Sequence, residues 1–148
     1  MLSITGLSKT YDNGVHALQG VDLSIGKGMF GLLGPNGAGK SSLMRTISTL
    51  QSADSGSITF DGIDVFKDPQ ALRQRLGYLP QDFGVYPRVS AYDLLDHMAV
   101  LKGIHNKGER KESVEGLLAH TNLYQHRSKA VSGFSGGMRQ RFGIAQAL

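Results

Sequence analysis

No cysteine occurs in the 148 residues, so this chain can build neither a disulfide framework nor a thiolate metal site. The absence agrees with a reducing compartment. No apolar stretch approaches the ~20 residues that cross a bilayer. The opening Met1-Leu2-Ser3-Ile4-Thr5 has no basic segment followed by an apolar one, so no signal peptide is read. Any connection to a membrane has to come through a partner. Lys and Arg are nowhere gathered into an arm of the kind that holds nucleic acid. The 16 basic against 12 acidic residues leave a formal charge of +4, which suits an anionic ligand but mostly describes solvated surface. Internal repeats and low-complexity linkers are missing as well.

Glycine, by contrast, is abundant. Its 20 residues are about twice the usual ~7%. They stand between apolar segments, which points to tight turns and backbone-to-ligand contacts rather than disorder. With 40% hydrophobic residues, the chain can bury a core. Three zones follow one another. From Leu2 to Ile25 the pattern is of short strands. Asp12-Asn13-Gly14 gives a turn, and Val21, Leu23 and Ile25 alternate with Asp22 and Ser24, so an antiparallel β piece is expected. In the second zone Met29-Phe30-Gly31-Leu32-Leu33 reads as a strand buried on both faces. A helix through Leu43, Met44, Ile47 and Leu50 follows. Then come a strand at Ser57 to Phe60 with a turn at Asp61-Gly62, a short helix near Pro69 to Arg75, and a short strand at Gly77 to Leu79. The third zone, from about Asp82, is helical. Ser90 and Asp93 form a capping-box pattern, and Leu94, Leu95, Met98 and Leu101 share one face. Val114, Leu117 and Leu118 do the same in the next helix. A last helix starts near Ser135 and carries Met138, Phe142, Ala145 and Leu148 at helical spacing.

The chemistry concentrates at Gly34-Pro35-Asn36-Gly37-Ala38-Gly39-Lys40-Ser41, which fits the phosphate-loop pattern G-x-x-x-x-G-K-[ST]. Glycines let the backbone curl until N–H groups converge on phosphate oxygens. The helix that starts there adds the positive end of its dipole. Lys40 can place an ammonium between the β- and γ-phosphates, the Ser41 hydroxyl can ligate Mg²⁺, and Ser42 can reach another phosphate. The plain alternative is a Gly-rich turn with a solvated lysine. Further on, the Ser135 hydroxyl and the N–H groups of Gly136 and Gly137 at a helix start make a second anion site. There the alternative is an ordinary N-cap followed by flexible glycines. Tyr11 offers an aromatic face, or else a half-buried strand tyrosine. Gln81 offers a neutral amide, or else a surface loop glutamine.

In order and separation these features resemble the ATP-binding domain of ABC-type ATPases, and the resemblance covers essentially the whole chain. Phe134-Ser135-Gly136-Gly137-Met138 resembles the signature motif, with Met138 where Gln is usual. Gln81, in Gly77-Tyr78-Leu79-Pro80-Gln81, resembles the Q-loop glutamine, whose amide oxygen would face Mg²⁺ or a water. Tyr11, in Ser8-Lys9-Thr10-Tyr11, resembles the aromatic that stacks on adenine. Gly77 to Gln81 and Phe83-Gly84-Val85-Tyr86-Pro87 resemble the branch serving drug, lipid or polysaccharide exporters. The resemblance implies an α/β fold: an incomplete P-loop NTPase sheet with an antiparallel β subdomain over about residues 1–81, and an α-helical subdomain over about 82–148. It implies ATP and Mg²⁺ as ligands, with Lys40 and Gln81 as catalytic residues and Ser41 and Gln81 at the metal. As partners it implies a second such domain, head to tail, and a transmembrane permease, with no nucleic acid. The protein would then sit at the cytoplasmic face of a membrane. The rival is a soluble ABC protein in translation or DNA repair, but the long coiled coil or zinc-binding cysteines of such proteins do not occur here.

One departure bears on activity. No apolar run ending in Asp-Glu follows the signature, and none of the five histidines lies after it. The family's Walker B carboxylates and switch histidine are therefore expected beyond Leu148. The last helical pattern also has no Gly, Asn or Pro stop, as in a chain that continues. The 148 residues are expected to bind nucleotide without turning it over and to fold poorly alone.

Overall fold

Ile4 and Leu7 are both buried although they lie three positions apart, a spacing that a regular strand would send to opposite faces. The first strand, β1 (Leu2–Thr10), resolves this with a bulge. Gly6 takes a positive φ of 58°, and the register against β2 (His16–Ile25) shifts between Ile4 and Leu7. The extra residue returns Leu7 to the core side. The Gly6 amide, freed from the ladder, donates to the Asp22 carboxylate at 2.8 Å. The expected turn closes the hairpin, with the Gly14 amide donating to the Tyr11 carbonyl at 2.8 Å.

The computed structural model describes residues 1–80, 84 and 87–148, which form two units, Met1–Leu76 and Gly77–Leu148. In the first unit, β1 pairs on its other edge with β3 (Ser55–Phe60), Ile4 lying opposite Ile58. β3 then turns through Asp61-Gly62 into the short β4 (Ile63–Asp64). The sheet order is β2-β1-β3-β4, antiparallel throughout. Two helices cover it: α1 (Lys40–Ile47) and α2 (Pro69–Arg73). Asp68 caps α2 by accepting from the Ala71 amide, and Pro69 takes the first position, where its missing N–H costs nothing. Ile4, Leu7, Leu18, Leu43, Ile58, Val65 and Leu72 make the core.

Two expected strands do not form. Residues 29–33 and 77–79 have no regular secondary structure. Leu33 is 92% exposed, and Met29 and Phe30 are exposed too. An apolar run becomes a doubly buried strand only when neighbours pair both its edges, and no described strand pairs with this one. Leu50 lies past the end of α1 and is exposed.

The second unit is helical: α3 (Ala91–Leu101), α4 (Lys107–His120) and α5 (Gly136–Ala147), with two short 3₁₀ turns between α4 and α5. Ser90 caps α3, its Oγ accepting from the Asp93 amide at 3.1 Å and donating to the Asp93 carboxylate at 2.6 Å. Asn106 caps α4. Leu94, Leu95, Val114, Leu118, Leu123, Val131 and Phe142 pack together, with Phe134 edge-on to Phe142 at 6.1 Å between ring centres. Leu101 falls on the outer side and is exposed. Gly77 lies against the carbonyl of Ala147 so closely that no side chain fits there. That packing replaces the expected strand.

Candidate nucleotide site

The start of α1 is built to leave backbone donors free. Gly39 occupies the N-cap in a left-handed conformation, φ 82°, without a side-chain hydrogen bond to the helix, and the first turn carries no acidic residue. Of the four orphan amides at a helix start, a capping side chain normally takes one or two. Here none is taken that way, and the positive end of the dipole is not offset. Gly39 is also a packing requirement. A Cβ at this position would stand 2.3 Å from the Ala17 carbonyl oxygen and 3.2 Å from Leu18 Cδ2. The loop therefore rests directly on β2, whose position is set by the sheet.

Lys40 closes the loop from inside. Its ammonium donates to the carbonyls of Gly34 and Pro35, both at 2.6 Å, while the Ala38 amide turns back to the Pro35 carbonyl at 3.3 Å. A cation held at the centre of Gly34 to Ser41, including Asn36 and Gly37, together with uncapped amides, is chemically suited to an anion with several oxygens. Ser41 is exposed in the first turn, whereas Ser42 is buried. The Ser42 hydroxyl meets the Tyr11 hydroxyl at 2.9 Å. Tyr11 thus stands beside the loop helix, at the end of β1, with its hydroxyl also donating to Gln51 Oε1 at 3.0 Å. Just upstream of Tyr11, the Asp54 carboxylate accepts from the Thr10 amide at 2.6 Å and from Lys9 at 2.9 Å. These contacts, the Thr10 amide first, hold its carboxyl below the usual range.

Gln51 escaped the sequence reading. It belongs to no motif, and its partners lie forty residues back, at Tyr11 just after β1, and within α1. Gln81 lies outside the described residues. Ser135, Gly136 and Gly137 belong to the second unit, at the start of α5. Ser135 Oγ accepts from the Met138 amide at 3.3 Å. A side chain added at Gly136 or Gly137 would meet nothing within 4 Å, so packing does not demand glycine at either place. Among the described residues no three of His, Cys, Asp or Glu gather into a metal cluster. A separate cleft of about 470 Å³ in the first unit is lined mainly by aliphatic side chains such as Leu2, Ile25, Ile47 and Leu72. It takes no residue from the loop.

A phosphate loop at the uncapped start of a helix, with its lysine inside, defines a nucleotide-binding protein of the P-loop class. The particular family follows from comparison with known proteins. The chain belongs to the ABC transporter family, whose family model matches residues 18–148, and it corresponds to the ATP-binding domain. It is 37% identical over 153 residues to the ABC transporter ATP-binding protein NatA of Bacillus subtilis (strain 168), covering 100% of this chain and 62% of that protein. It is also 37% identical over 153 residues to the sn-glycerol-3-phosphate import ATP-binding protein UgpC of Vibrio cholerae, covering 100% of this chain and 40% of that protein. Among solved structures, the dimeric ATP-binding cassette MJ0796, in a post-hydrolysis state bound to ADP and Pi, superposes with a TM-score of 0.87 at 28% identity. That match covers 100% of this chain and 69% of the other. The fold is thus the α/β fold of ABC ATPase cassettes, and the chain spans 62% and 40% of the length of these two curated relatives.

Proposed function

We propose that this chain carries the ATP-binding core of the ATPase subunit of an ABC exporter. The observation that carries the reading is the Lys40 ammonium at the centre of the loop from Gly34 to Ser41, seated on an uncapped helix start. In the reading, the loop amides and Lys40 hold the triphosphate. Ser41, exposed in the first turn of α1, and Gln81 supply oxygens to Mg²⁺, and Tyr11 stacks on adenine. Bound Mg²⁺ would neutralise charge on the transferring phosphoryl group. The test is calorimetry of MgATP binding to the full-length protein. Lys40→Ala should remove most of the affinity, and unchanged affinity would show that the loop is not the site.

Ser135, Gly136 and Gly137 are assigned to a second, head-to-tail copy of the domain, where they would meet that copy's triphosphate. Two supports exist: glycines that packing does not require, and a structural neighbour described as dimeric. Ser135→Arg should leave ATP binding by the monomer intact and stop ATP-dependent dimerisation in light scattering. Persisting ATP-driven dimers would remove the assignment. Export rests on the wording of residues 77–81 and 83–87 alone, since a relative at 37% identity is an import protein. No described helix is long and apolar enough to cross a membrane. The reading therefore attaches the protein to the cytoplasmic face through a permease. In this reading hydrolysis belongs to the intact ABC domain; these 148 residues contain no Asp-Glu pair to orient water and no histidine after the signature.

A further inference from the structure

We infer that Gln51 is a positioning residue for the base-binding aromatic, acting through the Tyr11 hydroxyl. The inference rests on the reading of Tyr11 as the residue that stacks on adenine. The hydrogen bonds around Gln51 leave one consistent arrangement of protons. The Gln51 amide nitrogen lies 3.0 Å from the Ser42 carbonyl and 2.8 Å from Thr46 Oγ1, and Thr46 Oγ1 itself donates to the same carbonyl at 2.8 Å. Only an NH₂ group can satisfy two such acceptors, so the amide cannot be flipped, and its oxygen is the end that faces Tyr11. The Tyr11 proton then goes to Gln51 Oε1. Because that proton is committed, the Ser42 hydroxyl must be the donor in its contact with Tyr11. The chain of donors runs from Ser42 to Tyr11 to Gln51, and Gln51 returns to the backbone of α1.

The consequence is geometric. A tyrosine at the end of a strand is free to swing about two side-chain torsions, and a stacking platform that swings loses affinity to ordering entropy. Gln51 removes that freedom by tying the far end of the ring to the helix that carries the phosphate loop. The backbone is held separately, since Asp54 grips the Thr10 amide and its own amide donates to the Ser8 carbonyl at 2.9 Å. The segment just after α1 thus fixes Tyr11 from both sides and sets the distance between base and phosphates. Gln51 touches neither, so its effect should appear as selectivity for the base-bearing ligand.

The experiment compares MgATP with magnesium tripolyphosphate, binding each to the full-length protein by calorimetry. Tyr11→Ala tests the underlying reading and should lower ATP affinity about 5- to 150-fold, the range of one base–aromatic stack, with tripolyphosphate little changed. Gln51→Ala should lower ATP affinity about three- to tenfold, a fraction of that stack, with tripolyphosphate again little changed. Tyr11→Phe, which deletes that hydrogen bond together with the one from Ser42 but keeps the Gln51 contacts to α1, should lose at least as much. Adding Gln51→Ala to Tyr11→Phe should cost ATP affinity nothing more. Equal losses for both ligands, or a further loss in the double variant, would reduce Gln51 to a structural residue. An effect of Tyr11→Ala with none from Gln51→Ala or Tyr11→Phe would overturn the inference and leave the stacking reading standing. No effect of Tyr11→Ala on ATP would overturn both.

Discussion

Two helices of this chain begin at glycine-marked turns, and they begin differently. α1 starts from Gly39, which has no side chain to cap it and is pressed onto β2. α5 starts from Ser135, whose hydroxyl accepts from its own helix, followed by two glycines with open space around them. In the first unit, glycine is required by the fold, and the free amides come as a consequence. In the second, a side chain at either glycine would meet nothing within 4 Å, so packing does not require glycine there. The cores differ as well. The helical unit closes around Phe142 and Phe134, whereas the sheet unit relies on aliphatic side chains and leaves Phe30 and Leu33 exposed.

The contrast can be broken at several points. The largest effect is expected in the helical core. Phe142→Ala should destabilise the second unit by about 3–5 kcal/mol, the usual cost of emptying a buried aromatic site, as read by denaturant unfolding. Gly39→Ala comes next. A methyl group 2.3 Å from the Ala17 carbonyl forces the loop off β2, and an L-residue at φ 82° adds strain, together about 2–4 kcal/mol. Gly136→Ala, with nothing within 4 Å, should leave stability within about 0.5 kcal/mol. Thermal unfolding of the pair measures the asymmetry directly, and equal losses would erase it. Ser135→Ala should cost about 1 kcal/mol through its lost cap, an effect without a counterpart at α1, where no side-chain cap exists.

The smallest effect concerns Asp54 and is one of pH. Its carboxyl is held below the usual range by the Thr10 amide and then by Lys9. A depressed folded value means that its contribution is fully present above the ordinary carboxylate value of ~3.9 and disappears as pH falls through the folded value. The gap in melting temperature between the native protein and Asp54→Asn should therefore be open at pH 6 and close on acidification below ~4. A gap independent of pH would mean that the charge of Asp54 is not what holds Thr10.

Much of this was legible because it is local. The hairpin of β1 and β2 announces itself by alternation and by Asp12-Asn13-Gly14. The cap of α3 is written in Ser90 and Asp93. The phosphate loop is a contiguous motif whose glycines, lysine and following helix need no distant residue to be read. The errors also share a cause. Met29 to Leu33 says that it should be buried but not by what, and without a paired neighbour the same residues stay irregular and exposed. Leu50 and Leu101 continue a helical spacing past the point where the helix or its packing partner ends.

By itself the order of residues determined that this protein carries a phosphate-loop motif, where α3 and α5 start, and to which family it belongs, because each is carried by neighbours in the chain. Only the tertiary structure decided that Gly39 must be glycine because Ala17 lies against it, that the Ser42 hydroxyl faces Tyr11, and that Gln51 closes the circuit. Those contacts join residues that sheet pairing and helix packing bring together across up to forty positions, and no local pattern encodes a partner that far away.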